Sequence, residues 1–374
     1  MQSLSTPYYL CEEALLEKNI LILDDVQKRS GAKVILALKG FAMHATFPLL
    51  KKYLHGCTAS GLYEARLARE EFGKEVHTYS PAFKENEIEE IARISDHIVF
   101  NSITQVHKFK DIVKEINPKI HISLRINPEV SSSPVDIYNP CGIYSRLGTT
   151  LENFDESVLP YLDGLNFHAL CEQDADALEE VLIAFEKKFS KYFKKLKYIN
   201  FGGGHHITKK SYNIEKLIGL IKDFKEKFGI EIYLEPGEAV GWETGYLVSS
   251  VLDTFYNGMN IAILDTSAEA HMPDTLAMPY RAEVRGADNA SVKKYTYRLG
   301  GNTCLAGDIM GDYSFDKPLQ IGDKIIFEDQ IHYTFVKNTT FNGIKLPSLV
   351  IQRKSGEIEL IKEFGYEDYR DRLS

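Results

Sequence analysis

Short apolar runs recur along the first two-thirds of the chain, with amphipathic stretches between them. Val34-Ile35-Leu36-Ala37-Leu38, Val76-His77-Thr78-Tyr79, Ile98-Val99-Phe100, Leu124-Arg125-Ile126, Gly164-Leu165-Asn166-Phe167, Tyr198-Ile199-Asn200-Phe201 and Ile232-Tyr233-Leu234 have the length and near-continuous apolarity of strands covered on both faces. Cys57-Thr58-Ala59 is a weaker eighth. Apolar residues spaced three and four apart predict helices from about Glu12 to Arg29, closed by Gly31, and over Glu64 to Phe72, Glu85 to Ile94, Thr104 to Ile116, Asp176 to Phe193 and Ile214 to Phe228. Eight strands alternating with helices predict an α/β architecture, a (β/α)8 barrel whose downstream strand ends share one mouth.

The pattern changes after about Gly241. Tyr246 to Val251, Ile261 to Leu264, Tyr295 to Leu299, Lys324 to Phe327 and Ser348 to Ile351 read as strands joined by Gly- and Asp-containing turns, without helices between them. The chain is therefore expected to divide into a barrel over 16–242 and a C-terminal β domain over 243–374. The N-terminal strand Tyr8-Tyr9-Leu10-Cys11, within 1–15, is expected to complete the β domain.

Size, charge and cysteine usage narrow the function. At 374 residues the chain has room for both domains, and its formal charge of −9 and lack of a basic face argue against nucleic acid as a partner. Five cysteines, an odd number with no C-x-x-C pair, support neither a disulfide scaffold nor structural zinc. Neither a signal-peptide pattern nor a membrane-length apolar run occurs, so a cytoplasmic protein with no membrane partner is expected. His205-His206 lacks a third ligand at useful spacing, and no metal is expected.

Residues suited to chemistry sit just past the strands. Lys39 is either a snorkelling surface lysine or a Schiff-base amine. Gly202-Gly203-Gly204 is either a tight turn or a cradle that lets backbone N–H groups approach a phosphate. His168 is either a satisfied core histidine or a ring stacked on a flat cofactor. Glu235, in Leu234-Glu235-Pro236-Gly237, is either a rim carboxylate or the partner of a protonated ring nitrogen. Cys304, in Gly300-Gly301-Asn302-Thr303-Cys304-Leu305-Ala306-Gly307-Asp308, has the setting of an exposed loop thiol. Cys11, Cys57, Cys141 and Cys171 read as packing.

Taken together, these motifs resemble the alanine-racemase-like class of pyridoxal-phosphate enzymes, and within it the basic amino acid decarboxylases. The resemblance covers nearly the whole chain and implies a barrel with a C-terminal β domain. It implies pyridoxal 5'-phosphate as cofactor, held by Lys39, stacked by His168, bound at its phosphate by Gly202, Gly203, Gly204 and Tyr333, and paired at its ring nitrogen with Glu235. It also implies Cys304 as the acid that returns a proton, with Asp308 beside it at the substrate, and a homodimer in which Cys304 comes from the second subunit. Lys39, Cys304 and His168 are the catalytic residues on this reading.

Three departures narrow the member. Glu238 stands where arginine usually follows the Glu-Pro-Gly, Leu305 replaces the acid after the cysteine, and the loop Asp265 to Asp274 differs. Acids at Glu238 and Asp274 suit a cationic substrate whose tail carries further protonated amines. Decarboxylation of diaminopimelate, arginine or ornithine, and racemisation on the same scaffold, are the competing expectations.

Overall fold

The computed structural model describes residues 4–133 and 136–374. Residues 1–3 and 134–135, which belong to the expected segments 1–15 and 16–242, lie outside the described residues. Close contacts divide the molecule into two units: Glu17–Val240, and the described residues up to Leu16 together with Gly241–Ser374.

In the first unit eight parallel strands close into a barrel: β2 (Lys33–Ala37), β3 (Gly56–Ala59), β4 (Glu75–Tyr79), β5 (His97–Phe100), β6 (His121–Arg125), β7 (Gly164–Asn166), β8 (Tyr198–Asn200) and β9 (Glu231–Leu234). The seam joins β2 to β9, with Lys33 opposite Tyr233 and Val34 opposite Leu234. Beyond it the Ala37 N–H donates to the Pro236 carbonyl at 3.0 Å. Gly40 and Gly237 make that approach possible, because a Cβ at Gly40 would lie 2.9 Å from the Glu238 nitrogen and one at Gly237 2.9 Å from the Ala37 oxygen.

Helices form where the sequence has the 3.6-residue period. They are α1 (Glu13–Ser30), α2 (Phe47–Leu50), α3 (Leu62–Leu67), α4 (Ile88–Ile94), α5 (Ile103–Ile116), α6 (Ala175–Phe193) and α7 (Ile214–Phe228). Gly31 closes α1 at φ +69°, its N–H donating to Gln27 O at 2.8 Å. One expected helix and one crossover differ in detail. The stretch expected as one helix from Glu64 to Phe72 is α-helical only as far as Leu67 and becomes a wider π turn over Ala68–Phe72, which ends at Gly73 in the left-handed region. Among its described residues the β6–β7 crossover carries 3-10 turns in place of an α-helix, at Asp136–Tyr138 and Glu156–Tyr161, the latter containing Pro160, so the strand–helix alternation is incomplete there.

Packing outside β7 and β8 fixes what their ends present. Phe167 and Phe201 are fully buried and stack at 5.4 Å. Phe167 continues onto Phe185 of α6 at 5.1 Å, and Phe201 onto Phe224 of α7 at 5.2 Å. Successive residues of an extended chain face opposite ways. With Phe167 anchored among the helices, His168 turns toward the barrel interior.

The second unit is a mixed sheet built on β1 (Tyr8–Glu12), β10 (Gly245–Tyr256), β11 (Asn260–Leu264), β12 (Asp288–Asn289), β13 (Tyr295–Gly300), β14 (Ile309–Phe315), β15 (Lys324–Glu328), β16 (Ser348–Gln352) and β17 (Ile358–Lys362). Its order is β12-β14-β13-β11-β10-β1-β16-β17, with β15 also paired to β10. The N-terminal strand is interior: Tyr8 faces Val248 in an antiparallel pair and Ser348 in a parallel one. The fold is thus a (β/α)8 barrel with a β domain completed by the N-terminal strand. Strands β12, β14 and β17 had no counterpart in the sequence reading.

Candidate active site

The ends of β2, β6, β7, β8 and β9 carry Lys39, Arg125, His168, Asn200 and Glu235. Lys39 follows β2 by two residues; its side chain is reached by solvent from the open mouth, while its amine is crowded by the surrounding strand ends. Its Nζ lies 3.4 Å from Nε2 of His168. The lysine pKa falls below the ordinary value, first because the barrel wall desolvates the amine and then because Arg125 adds positive charge, while Glu235 acts in the opposite sense. His168 is pushed well below the usual histidine range by burial, Lys39, Arg125 and His205. Both nitrogen bases are therefore biased toward their neutral forms.

A backbone donor sets the histidine tautomer. The Gly203 N–H donates to His168 Nδ1 at 2.9 Å. Nδ1 must accept, so in the neutral ring the proton sits on Nε2 and points at Lys39. A Cβ at Gly203 would lie 2.4 Å from the Glu235 carbonyl, at Gly202 2.3 Å from Phe167 O, and at Gly204 2.0 Å from Leu170 O. Gly202 and Gly204 also have φ +71° and +82°. Glycine is required at all three by crowding, and at two of them by backbone conformation. Two of the amides are already committed, Gly203 to His168 and Gly202 to the Asn200 side-chain oxygen at 2.8 Å. The triplet's first visible role is thus to orient neighbouring side chains.

Glu235 follows β9 and is clamped from β8. Asn200 donates through Nδ2 to Glu235 Oε1 at 2.8 Å while its oxygen accepts from Gly202. The Glu235 N–H donates to Gly202 O at 2.8 Å, which locks the two loops together. Glu238, largely buried, has Oε2 3.8 Å from His206 Nε2.

Sequence reasoning missed two residues. Arg125 is 5% exposed at the end of β6, donates to the His168 carbonyl at 3.1 Å and lies 4.7 Å from the Tyr79 ring centroid. Asn200 is the second. Both lie inside the apolar runs that marked the strands, and a charged or amide residue at the last strand position is the signal that could have found them.

The other candidates lie in the β unit. Cys304 is exposed, and its N–H donates to Asn342 Oδ1 at 2.7 Å. Asp308 differs from expectation. Its carboxylate is buried and accepts from the N–H groups of Ala268 at 2.7 Å, Glu269 at 3.3 Å and Thr303 at 3.1 Å, and from the Thr303 hydroxyl at 2.6 Å. It holds the Cys304 loop in place rather than offering a free acid to substrate. Asp274 forms an ion pair with Lys337, which compensates its charge. Tyr333 begins the short helix Tyr333–Val336.

A closed parallel barrel with a mixed β domain, carrying a lysine, a histidine, a glycine cradle and a carboxylate at the strand ends, defines a class. Residues 22–330 match the family model described as pyridoxal-dependent decarboxylase, C-terminal sheet domain, and the chain belongs to this family. Its similarity to particular members is high. It is 55% identical to the carboxynorspermidine/carboxyspermidine decarboxylase of Campylobacter jejuni over 98% of each chain. It is 46% identical to a carboxyaminopropylagmatine decarboxylase of Synechocystis, covering 100% of this chain and 96% of the other. The crystal structure of the Campylobacter jejuni carboxynorspermidine decarboxylase complexed with norspermidine superposes with a TM-score of 0.93 at 54% identity, covering 99% of this chain and all of that one.

Proposed function

We propose that this chain removes carbon dioxide from carboxynorspermidine and carboxyspermidine, forming norspermidine and spermidine in bacterial polyamine synthesis, with pyridoxal 5'-phosphate as cofactor. The carrying observation is the mouth geometry: a desolvated Lys39 amine 3.4 Å from a tautomer-locked His168, with Glu235 clamped by Asn200 on a neighbouring strand.

The residues fit the cofactor. Lys39 is the amine that would hold it, the His168 ring the surface against its face, the cradle at Gly202 to Gly204 and Tyr333 the groups at its phosphate, and Glu235 the acid at its ring nitrogen. The bound cofactor supplies an electron sink for the pair left when the bond to the carboxylate breaks. Every other task falls to the protein. Glu235 favours a protonated ring nitrogen. His168 keeps its proton on Nε2, facing the reacting nitrogen. Carbon dioxide leaves, and the α-carbon takes a proton from an acid, for which Cys304 Sγ is the candidate. Asp308 positions that thiol's loop.

We further propose a homodimer in which Cys304 serves the mouth of the second copy, in a cytoplasm whose reducing conditions keep such a thiol free. Glu238 suits the cationic substrate tail, whereas Asp274 is already neutralised by Lys337 and contributes less. The Synechocystis relative supports a second substrate, carboxyaminopropylagmatine, which is also a cationic amino acid. Carbon dioxide release from carboxynorspermidine, carboxyspermidine, carboxyaminopropylagmatine and diaminopimelate is the test. Highest kcat/KM on one of the first two is expected, and a preference for diaminopimelate would remove the proposal.

A further inference from the structure

We propose that Glu75, His77 and His97, at the floor of the barrel opposite the mouth, bind a divalent first-row transition ion of the zinc, cobalt or nickel type. Strand geometry assembles the site. Glu75 and His77 are two apart on β4 and face the same side. His97 opens β5 and is the direct Cα partner of His77 in the parallel ladder. Donor atoms of the three lie within 4.8 Å of one another, and they are the group that meets this condition among the described residues. At metal–ligand bonds of about 2.0–2.2 Å, tetrahedral donors stand roughly 3.4 Å apart, so ligation has to draw the three side chains inward.

Two of the donors, His97 and Glu75, are already in ligand form. Burial, then the neighbouring His77 and His121 rings, push His97 below the histidine range, so it is neutral. Glu75 resists burial and is held down to about 2 by His77, Lys33 and Tyr233, so it is ionised. The independent observation is an unmet need. His77 and His97 are 1% and 5% exposed, and Nδ1 of each has no hydrogen-bond partner. Idle nitrogens occur on other buried rings as well; what sets His77 and His97 apart is that both adjoin the Glu75 carboxylate. His121, the next rung of the ladder, has its ring 4.8 Å from that of His97 and its Nδ1 3.4 Å from Asp163 Oδ2. That carboxylate–histidine arrangement is the kind that orients a further ligand or supports those present.

Two features oppose binding, and both are testable. The His77 and His97 rings stack at 3.8 Å and 10°, so their lone pairs run side by side, and ligation requires His97 to rotate out of the stack. Lys33 Nζ lies 3.8 Å from Glu75 Oε1, but it also reaches Glu231 and the Tyr233 hydroxyl at 3.1 Å and has these to move to.

The test uses untagged holoenzyme freed of metal by a chelator and then titrated with Zn²⁺ by calorimetry and with Co²⁺ by visible absorption. One ion per chain is expected, with a cobalt spectrum of nitrogen and oxygen ligation. Glu75→Gln, with melting followed by circular dichroism, should weaken binding ~10-fold or more and abolish the rise in Tm caused by zinc. Lys33→Met should tighten binding, and that gain requires no loss-of-fold control. Absence of binding, equal affinity in Glu75→Gln, or binding abolished by Cys304→Ala with thiolate absorption in wild type would each overturn the assignment.

Discussion

At the residue scale the mouth works through mutual constraint. Asn200 holds Glu235 and Gly202 with one amide, so Asn200→Ala removes two hydrogen bonds and frees the carboxylate. A fall in kcat of about 10-fold with little change in KM is expected, measured by steady-state carbon dioxide release, because the effect passes through Glu235. Glu235→Gln removes the charge itself, and turnover should fall on the order of 100-fold while cofactor absorbance is retained. Lys39→Ala should reduce activity to background and remove the covalent cofactor adduct at position 39 after borohydride reduction, read by peptide mass. The placement of Lys39, His168 and Glu235 at the strand ends was legible in the sequence because each stands just past an apolar run. Arg125 and Asn200 were not, since inside such a run a polar residue reads as an interruption. For Asp308, no motif can show that the acid accepts from Thr303 of its own loop and from the distant Ala268 and Glu269 N–H groups.

At the element scale most strands and long helices were legible because period and apolarity agree over many residues. The failures have local causes. β17 reads Ile358-Glu359-Leu360-Ile361-Lys362 with mostly exposed side chains, so it lacks the hydrophobic weight that marks a core strand. The β6–β7 crossover holds Pro160 and short turns in place of an amphipathic period. The glycine cradle makes a prediction at this scale. Gly204→Ala forces a side chain into φ +82° and onto Leu170 O, and should cost more than ~1 kcal/mol in denaturant melts, whereas Gly61→Ala meets open space and should be tolerated.

At the scale of the whole molecule, buried histidines make stability fall with acid. Burial holds His205 and His271, one in each unit, at about 4, against 6.5 in an open chain. Between those values the unfolded chain binds protons that the folded chain refuses. Their contribution is complete above about pH 6.5 and is lost as pH falls toward 4, at ~1.4 kcal/mol per unit per group. Thermal melts should therefore show Tm falling from pH 7 to pH 5, and His205→Gln should flatten that slope. The division into two units was legible from the change of pattern near Gly241. The pairing partners of β1 were not, because contacts spanning hundreds of residues leave no local trace.

The interior position of β1 sets the timing of assembly during synthesis. Tyr8 leaves the ribosome 340 residues ahead of its neighbour Ser348. At about 5–20 residues per second that interval is roughly 20–70 s, long enough for the barrel segment to fold on the nascent chain. Throughout it the apolar Tyr9-Leu10-Cys11 has no parallel partner, and a chaperone that shields nascent apolar segments would have its clearest target there.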